Sequence, residues 1–328
     1  MEKFLNKIWY SKLSYLSYIL LPVTFLYYII ISIRKFLYHF QLFSAYKCQI
    51  PIFVIGNITV GGSGKTPLCI WVCKYLQGLN KIVGIVSSGY KGTSTSPVLV
   101  DQYSDPYVCG DEALLIFQQT HAHVVSGADR VEATKLLENK FNCDLIIHDD
   151  GLQHYQLLRD YEVLVIDHNR GLGNEFILPA GPLRESKSKL NDVDLVVYNN
   201  YKSNDNVASI NTITQSVTNI TTRESRLFST FKGTTIHLVT AIASTDTIIK
   251  ALEMNNISHN NHAYPDHYSY TGNEIFFDDS DPVFITSKDY VKLKDATSDN
   301  IWVIDHKIEP NSLFINEINK FFQKKNII

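Results

Sequence analysis

The feature that most constrains the fold is a strand-like run that passes through glycines into the start of a helix. Residues 51–71 read PIFVIGNITVGGSGKTPLCIW. Backbone N–H groups exposed by such a turn, together with the helix N-terminus behind it, suit phosphate oxygens. The usual pattern G-x-x-x-x-G-K-[ST] has a glycine where this chain has Thr59. The strand before the loop and the helix after it still predict a nucleotide phosphate loop.

Each residue type in this loop has a predicted role. Lys65 is expected to reach the β- and γ-phosphates, and Thr66 to hold Mg²⁺. The glycines supply a permissive backbone, and Pro67 suits the first helical turn because its missing N–H is not needed there. The predicted nucleotide-binding residues are Thr59, Gly61, Gly62, Ser63, Gly64, Lys65 and Thr66.

Two adjacent carboxylates follow another apolar strand. Residues 144–147 read DLII and lead into His148, Asp149 and Asp150. A parallel strand delivers the residues at its carboxyl end to the ligand edge of the sheet, where a phosphate loop commonly needs an acidic partner for its metal. We therefore predict that Asp149 and Asp150 hold the metal. A solvated acidic pair on a loop is the alternative.

Length and composition limit the class of protein. The chain has 328 residues, 45% of them hydrophobic, and a net charge of −3. This argues against global disorder and against a protein that needs a basic face for nucleic acid, so we expect no nucleic-acid partner. The five cysteines are irregularly spaced without a C-x-x-C pair, which favours free thiols over disulfides or a zinc site.

The N-terminal segment is strongly apolar. Residues 15–33 carry no charge, and Lys12 precedes them while Arg34-Lys35 follow. This length approaches the roughly 20 residues that cross a bilayer core, and basic residues at both ends leave the orientation open. The open alternatives are a spanning helix, a helix or a pair bent at Pro22 lying in one leaflet, and a buried core helix. A signal peptide is disfavoured because no small-residue cleavage site follows.

Beyond this segment, short apolar strands alternate with helices, which predicts an α/β fold with a parallel sheet covered on both faces. Residues 199–226 are rich in Asn, Ser and Thr and predict a linker or connecting ribbon. A smaller α/β unit follows. The predicted division is an N-terminal apolar segment, a P-loop domain, a linker or β-ribbon and a C-terminal domain: 1–46, 47–200, 201–234 and 235–328.

Further candidates lie outside the phosphate loop. Asp111 could orient or deprotonate an acceptor hydroxyl, or simply cap the following helix. Arg184 and Glu185 end a rigid loop rich in glycine and proline, where they suit a phosphate and a metal or hydroxyl, or form only a surface ion pair. His267 stands alone, and a lone histidine is usually structural or exposed.

Several motifs together resemble the tetraacyldisaccharide 4′-kinase family of lipid A biosynthesis. They run in that family's order from residue 51 to about 292. They are GNITVGGSGKTP, SSGYKG, GDEA, DDGLQHYQLLRD, RGLGN, LPAGPLRE, YPDHYSY and TSKDYVK. The sequence departs from the family pattern at Ser88, where an arginine is usual, and at Ala113 and Ser287. The loss of the arginine removes one expected phosphate or substrate contact.

The resemblance implies an ATP- and Mg²⁺-dependent kinase that phosphorylates the 4′-hydroxyl of a membrane-bound tetraacylated glucosamine disaccharide 1-phosphate. It implies a P-loop domain joined by a β-ribbon to a smaller C-terminal domain. It also implies peripheral attachment to membrane lipids on the cytosolic face of the bacterial inner membrane. We expect a monomer. Residue by residue, the implied catalytic pair is Asp111 and His267, the acidic metal and nucleotide group is Asp149, Asp150 and Glu185, and the basic residues near phosphate or substrate are Arg130 and Arg184.

Two other functions stay open from the residues alone. The first is a membrane-attached nucleotide switch that hydrolyses slowly, which would not need a hydroxyl-activating carboxylate. The second is a soluble small-molecule kinase with a buried N-terminal helix. Replacing Asp111 separates the kinase from the switch, and removing residues 1–40 separates the membrane protein from the soluble one.

Overall fold

The structure is a computed structural model that describes residues 8–10, 15–89, 92–201, 206–242, 245–266, 268–293 and 298–328. Tyr90, Lys91 and His267, which belong to the motifs quoted above, lie outside the described residues.

The described elements alternate as the sequence predicts. The first part contains α1 Tyr15–His39, β1 Ile52–Gly56, α2 Lys65–Gly78, β2 Val83–Ser87, β3 Val98–Leu99, α3 Pro106–Cys109, α4 Asp111–Thr120, β4 His123–Ser126, α5 Arg130–Lys140, β5 Leu145–Asp149, β6 Tyr161–Asp167 and β7 Leu195–Asn199. The second part contains β8 Ser209–Asn219, β9 Ser225–Leu227, β10 Thr235–Thr240, α6 Asp246–Met254, β11 Ser258–Ala263, β12 Val283–Thr286, α7 Ser287–Tyr290, β13 Ile301–Pro310 and α8 Ser312–Lys324. Short 3₁₀ turns cover Lys187–Asn191, Phe228–Phe231 and Asn273–Ile275.

The strands form one sheet in the order β11-β10-β12-β13-β8-β7-β6-β1-β5-β2-β4-β3, with β9 beside β8. Strands β8, β7, β6, β1, β5, β2 and β4 are mutually parallel. All five residues of β1 and of β5 are buried, as expected for parallel strands covered on both faces. The predicted α/β fold with a parallel P-loop sheet is confirmed.

A long antiparallel pair joins the two parts of the sheet. Strand β8 pairs with β13 from Asn219 opposite Trp302 to Ile210 opposite Pro310, with a register shift between Asp305 and His306. β8 lies in the stretch predicted as linker or ribbon, and its many β-branched Ile, Thr and Val residues favour a strand. The two parts are therefore continuous through backbone hydrogen bonds.

The last helix returns to the first part of the chain. Residues of α8 lie in the same apolar core as β1 and α2. The Phe322 ring centroid is 5.7 Å from that of Phe53, and the Phe321 centroid is 4.6 Å from that of Tyr161. The division at residue 235 stays a prediction, and this packing places α8 with the P-loop sheet.

Helix α1 presents its apolar side chains outward. It runs unbroken through Pro22, and Ile19 is 71% exposed and Leu26 62% exposed. Its buried residues are the polar Ser17 and Thr24. Thr24 Oγ1 donates to the Ile177 carbonyl at 3.3 Å and accepts from the Ala180 N–H at 3.0 Å. A core helix would bury its apolar face, so the exposure does not fit that alternative.

Candidate active site

The phosphate loop begins where β1 ends. Gly61 has φ +103° and Gly64 φ +94°, backbone conformations that glycine adopts without a steric cost. Asn57 Nδ2 donates to the Gly61 carbonyl at 3.4 Å, and α2 starts immediately after Gly64. The loop therefore delivers its N–H groups and the N-terminus of α2 to one place, as an anion site requires.

Strand-like pairing explains why the loop has a threonine at position 59, where the usual pattern has a glycine. Thr59 forms an antiparallel bridge with Leu183. The Val60 N–H donates to the Pro182 carbonyl at 2.9 Å, and the Arg184 N–H donates to the Ile58 carbonyl at 2.7 Å. Because the loop LPAGPLRE pairs with residues 58–60, the backbone there is held in a conformation that threonine favours. A glycine is not needed at this point.

The predicted acidic partners lie against the loop. Thr66 Oγ1 donates to Asp149 Oδ2 at 2.9 Å. Asp150 Oδ1 is 3.8 Å from Lys65 Nζ, and its Oδ2 accepts from Arg184 Nη1 at 2.9 Å. The carboxyl end of β5, the start of α2 and the loop before Glu185 therefore converge, as the sequence predicts for parallel strands.

The two carboxylates differ in their electrostatics. Burial raises the pKa of Asp149 to about 7, with a further rise from the nearby Glu112 and an opposing effect from Lys65. Burial also raises the pKa of Asp150, but Lys65 and Arg184 outweigh it, so the net direction is downward. Asp150 thus belongs to a charged network with two cations, whereas Asp149 is a buried carboxylate that gains from an added cation.

These donors fit a magnesium ion. Asp149 Oδ1 is buried and has no hydrogen-bond partner among the described residues. It lies on the carboxylate that accepts the hydrogen bond from Thr66, and hard oxygen donors of this kind suit Mg²⁺. The fit rests on Thr66 and Asp149, while Asp150 is already paired with Lys65 and Arg184.

Arg130 is buried under this cluster. Only 2% of its surface is exposed, and its Nη2 donates to the Asp149 carbonyl at 3.0 Å. Burial lowers its pKa to about 10, although Asp149, Asp150 and Glu112 oppose the shift. Within the described part of the chain, Nη1 has no hydrogen-bond partner. A buried guanidinium with a spare donor at this place suits an anionic phosphate.

Glu185 makes a different set of contacts. Its carboxylate accepts hydrogen bonds from Tyr155 OH and from Gln153 Nε2, the latter at 2.8 Å. Gln153 Nε2 also donates to the Asn57 carbonyl at 3.1 Å. Glu185 therefore braces the base of the phosphate loop through Gln153, and its role as a metal ligand stays a prediction.

Asp111 lies where the two parts of the chain meet. It is buried as the first residue of α4. Lys288 Nζ, from the C-terminal part, is 3.4 Å from Glu112 Oε1 and 3.7 Å from Asp266 Oδ1. Burial lowers the pKa of Lys288, but Glu112, Asp111 and Asp266 outweigh it and raise the pKa. His267, which follows Asp266 in the sequence, is outside the described residues, so its pairing with Asp111 stays a prediction.

Glu112 is close both to this group and to Asp149. Its charge raises the pKa of both Asp149 and Lys288, so its carboxylate is near enough to act on each of them. The sequence patterns predicted no role for Glu112, which follows Asp111 in the GDEA motif. Its place in the first turn of α4 could have indicated a role at the site, because the N-terminus of a helix favours negatively charged groups that can interact with a ligand there.

Arg170 also contacts the loop, although its motif RGLGN carried no assigned site. A Cβ on Gly61 would lie 2.7 Å from Arg170 Nη1, so the guanidinium fills the space beside that glycine. The Arg170 guanidinium lies 4.8 Å from the centre of the Tyr10 ring, a cation–π distance. Arg170 thus links the phosphate loop with the N-terminal segment, a contact between distant parts that sequence spacing cannot show.

A phosphate loop at the end of a parallel strand, with a threonine–aspartate pair and buried basic residues beside it, defines a P-loop nucleotide-binding protein of the phosphoryl-transfer type. Comparison with known sequences specifies the family: the profile of LpxK, tetraacyldisaccharide-1-P 4′-kinase, matches residues 16–323. The chain belongs to this family. The family that the motifs predicted is confirmed.

Individual relatives agree over nearly the whole chain. The tetraacyldisaccharide 4′-kinase of Pasteurella multocida is 39% identical over 310 residues, which is 92% of this chain and 93% of that protein. The kinase of the same name from Hahella chejuensis is 39% identical over 326 residues, covering 97% and 96%. A solved structure of LpxK from Aquifex aeolicus in complex with ATP is 26% identical with a TM-score of 0.80, covering 94% of this chain and 99% of that one.

Proposed function

We propose that this protein transfers the γ-phosphate of ATP to the 4′-hydroxyl of a tetraacylated glucosamine disaccharide 1-phosphate, as the names of its relatives imply. The observation that carries the proposal is the convergence of Lys65, Thr66 and Arg130 on the adjacent Asp149 and Asp150 beside the phosphate loop. Glu112, the residue that follows Asp111 in α4, is near enough to raise the pKa of Asp149, so Asp111 belongs to the same region of the molecule. A nucleotide site and an acceptor-activating carboxylate are both needed for a kinase.

The residues of the chain have separable tasks in this reaction. Lys65, Arg130 and Arg184 would neutralise the phosphate oxygens as the bond to the β-phosphate oxygen breaks and the bond from the sugar oxygen to phosphorus forms. Asp111 would accept the proton that the sugar hydroxyl loses. Thr66 and Asp149 would hold Mg²⁺, which when bound spreads the charge of the β- and γ-phosphates.

Helix α1 is the part of the chain that would contact the membrane in which the lipid acceptor lies. Its outward face consists of exposed apolar side chains, among them Ile19, Leu26 and Ile30. We propose that this face enters one leaflet at the cytosolic side of the inner membrane and that the protein is peripheral or monotopic. The lipid acceptor can then keep its acyl chains in the bilayer while its sugar enters the site. We propose that the protein acts as a monomer.

Replacing Asp111 tests the kinase against the nucleotide-switch alternative. In Asp111→Asn, the carboxylate that takes the hydroxyl proton is lost while the phosphate loop is untouched. Because general-base catalysis contributes roughly 10²–10⁴-fold, we expect transfer to lipid to fall by about that factor with ATP affinity unchanged. Turnover and equilibrium ATP binding measure the two effects separately. Glu224→Gln, which changes an exposed carboxylate paired with Arg226, is the control.

The switch alternative makes the opposite prediction for the same variant. A protein that only binds and slowly hydrolyses nucleotide has no acceptor hydroxyl to activate. Unchanged function in Asp111→Asn, with the variant folded and ATP bound, would therefore contradict the kinase proposal.

A further inference from the structure

Asn199, the last residue of β7, forms a direct hydrogen bond with the phosphate loop. It is buried, with 4% of its surface exposed. Its Nδ2 donates to the Ser63 carbonyl at 3.1 Å, and its Oδ1 accepts from Thr212 Oγ1 at 3.1 Å. Both ends of the amide are therefore engaged, one by the loop and one by β8.

The fit between Asn199 and the loop is close. A Cβ on Gly64 would lie 2.4 Å from Asn199 Nδ2, and no Cβ approaches a heavy atom so closely in practice. The amide occupies the space that the glycine leaves open. Gly64 is thus required both for its left-handed backbone and for this contact.

The chemistry of the partners fixes how the amide is oriented. The Ser63 carbonyl can only accept, so the NH₂ group of Asn199 faces it. The remaining Oδ1 accepts from the Thr212 hydroxyl. Thr212 therefore acts on the loop through Asn199, and it does so from β8, where it pairs with Ile308 of β13.

The Ser63 carbonyl has a direct consequence for the N–H of Gly64. A trans peptide is planar, and its C=O and N–H groups point in opposite directions. Because Asn199 holds the Ser63 carbonyl on its own side, the Gly64 N–H is turned to the other side. Backbone N–H groups of such a loop are the ones that bind phosphate oxygens.

We propose that Asn199 is a positioning residue for the nucleotide phosphates and that Thr212 holds it in the active orientation. The pair orients the Ser63–Gly64 peptide and ties the phosphate loop to the β8–β13 strand pair that joins the two parts of the molecule. This inference rests on the proposed ATP site. It assigns a nucleotide-positioning task to a residue outside the phosphate-loop motif.

Three variants test the pair. Asn199→Ala removes both hydrogen bonds, and Thr212→Val removes only the one that orients Asn199. The matched control is Thr214→Val, which loses a threonine hydroxyl two positions further along β8 whose 2.9 Å contact is to His306 Nδ1 and not to the loop. The affinity for ATP is measured by equilibrium binding without lipid acceptor, and the KM values for ATP and for lipid are measured separately.

We expect Asn199→Ala to weaken ATP binding about tenfold, the effect of one hydrogen bond plus an unpaired buried carbonyl. Thr212→Val is expected to weaken it about threefold. The double variant should bind ATP no more weakly than Asn199→Ala, because Thr212 acts through Asn199. Thr214→Val should bind ATP as the wild type does, and KM for the lipid acceptor should stay unchanged throughout.

Several results would overturn the inference. They are wild-type ATP affinity in Asn199→Ala and Thr212→Val, additive losses in the double variant, or an equal loss in Thr214→Val. If Asn199→Ala does not fold, Thr212→Val against Thr214→Val decides the question. A wild-type protein that binds no ATP would instead contradict the proposed function, so the two failures are distinguishable.

Discussion

His148 and Arg130, two buried residues beside the phosphate loop, share one threonine. Thr134 Oγ1 donates to the Arg130 carbonyl at 2.7 Å and lies 3.0 Å from His148 Nε2. Since the hydroxyl proton is already used, the histidine is the donor and carries its proton on Nε2. Burial, and next the charge of Arg130, hold the pKa of His148 well below its usual range. His148 is therefore a neutral structural residue.

The neutral state of His148 predicts how stability depends on pH. The pKa in the folded protein is lowered, so the unfolded chain binds the proton more readily. The stability is then fully present above the ordinary histidine pKa of about 6.5 and is lost progressively as the pH falls below it. We expect the free energy of unfolding to decrease between about pH 7 and pH 5, and to decrease less in His148→Gln.

Urea unfolding at a series of pH values measures this effect. The exposed His39 provides the control variant, His39→Gln, which should follow the wild-type profile. A His148→Gln profile that is parallel to the wild-type profile would show that the histidine does not titrate on unfolding in this way.

Helix α1 exposes apolar side chains and buries polar ones, the reverse of a helix on the surface of a soluble protein. Thr24 faces the loop that contains Ile177 and Ala180, whereas apolar side chains face outward. Near the C-terminal end of the helix, Lys35 Nζ forms an ion pair with Asp192 Oδ2 at 2.7 Å. Polar contacts thus fix the helix to the protein and leave its apolar face exposed, as the proposed insertion into one leaflet requires.

The outward face predicts a membrane-binding defect without a folding defect. Leu26 and Ile30 are 62% and 64% exposed, so Leu26→Glu/Ile30→Glu removes apolar surface and adds charge without disturbing a core. A charged residue in the apolar region costs about 2.5–3.5 kcal/mol. We therefore expect at least a tenfold loss of binding to phosphatidylethanolamine–phosphatidylglycerol vesicles in a flotation assay, with ATP binding unchanged.

A matched double variant controls for the added charge. Leu227 and Met254 are also exposed, at 58% and 83%, but they belong to the C-terminal part. Leu227→Glu/Met254→Glu should float with vesicles as the wild type does. Equal flotation of both double variants and the wild type would show that α1 does not hold the protein to lipid.

Elements that follow local rules were predictable from the sequence, and contacts between distant segments were not. Lys65, Asp149 and Asp150 follow apolar strands, and parallel strands end at the same edge of a sheet, so their meeting was predicted. The hydrogen bonds of Glu185 depend on the approach of Gln153, and the pairing of Thr59 depends on Leu183. Sequence spacing does not show which of these distant segments come into contact, because their contact depends on how the folded chain packs.

In the molecule as a whole, the proposed site is assembled from both parts of the chain. Lys288 comes from the start of α7, whereas Glu112 belongs to α4. The β8–β13 pair joins these parts, and α8 packs against the P-loop sheet. Helices α4 and α7 therefore stand beside one continuous sheet, with Lys288 at the place where the two parts of the chain meet.

Removing Lys288 should affect catalysis more than nucleotide binding. Lys288→Met leaves the Glu112 and Asp266 carboxylates near Asp111 without this ammonium group, so the local negative charge disfavours the anionic phosphoryl group. We expect turnover to fall roughly tenfold or more while ATP affinity changes little. Lys320→Met, at an exposed pair with Glu317, is the control. A rise in KM for ATP with unchanged turnover would contradict this assignment.

The most direct measurement is the transfer of label from ATP to lipid. The full-length protein is incubated with ATP labelled in the γ-phosphate and a tetraacylated glucosamine disaccharide 1-phosphate in detergent micelles, and the position of the new phosphate is determined by NMR. We expect labelled lipid with the phosphate on the 4′-oxygen, as the proposed kinase activity requires. A folded protein that binds ATP but yields no labelled lipid, or labels only another position, would contradict it.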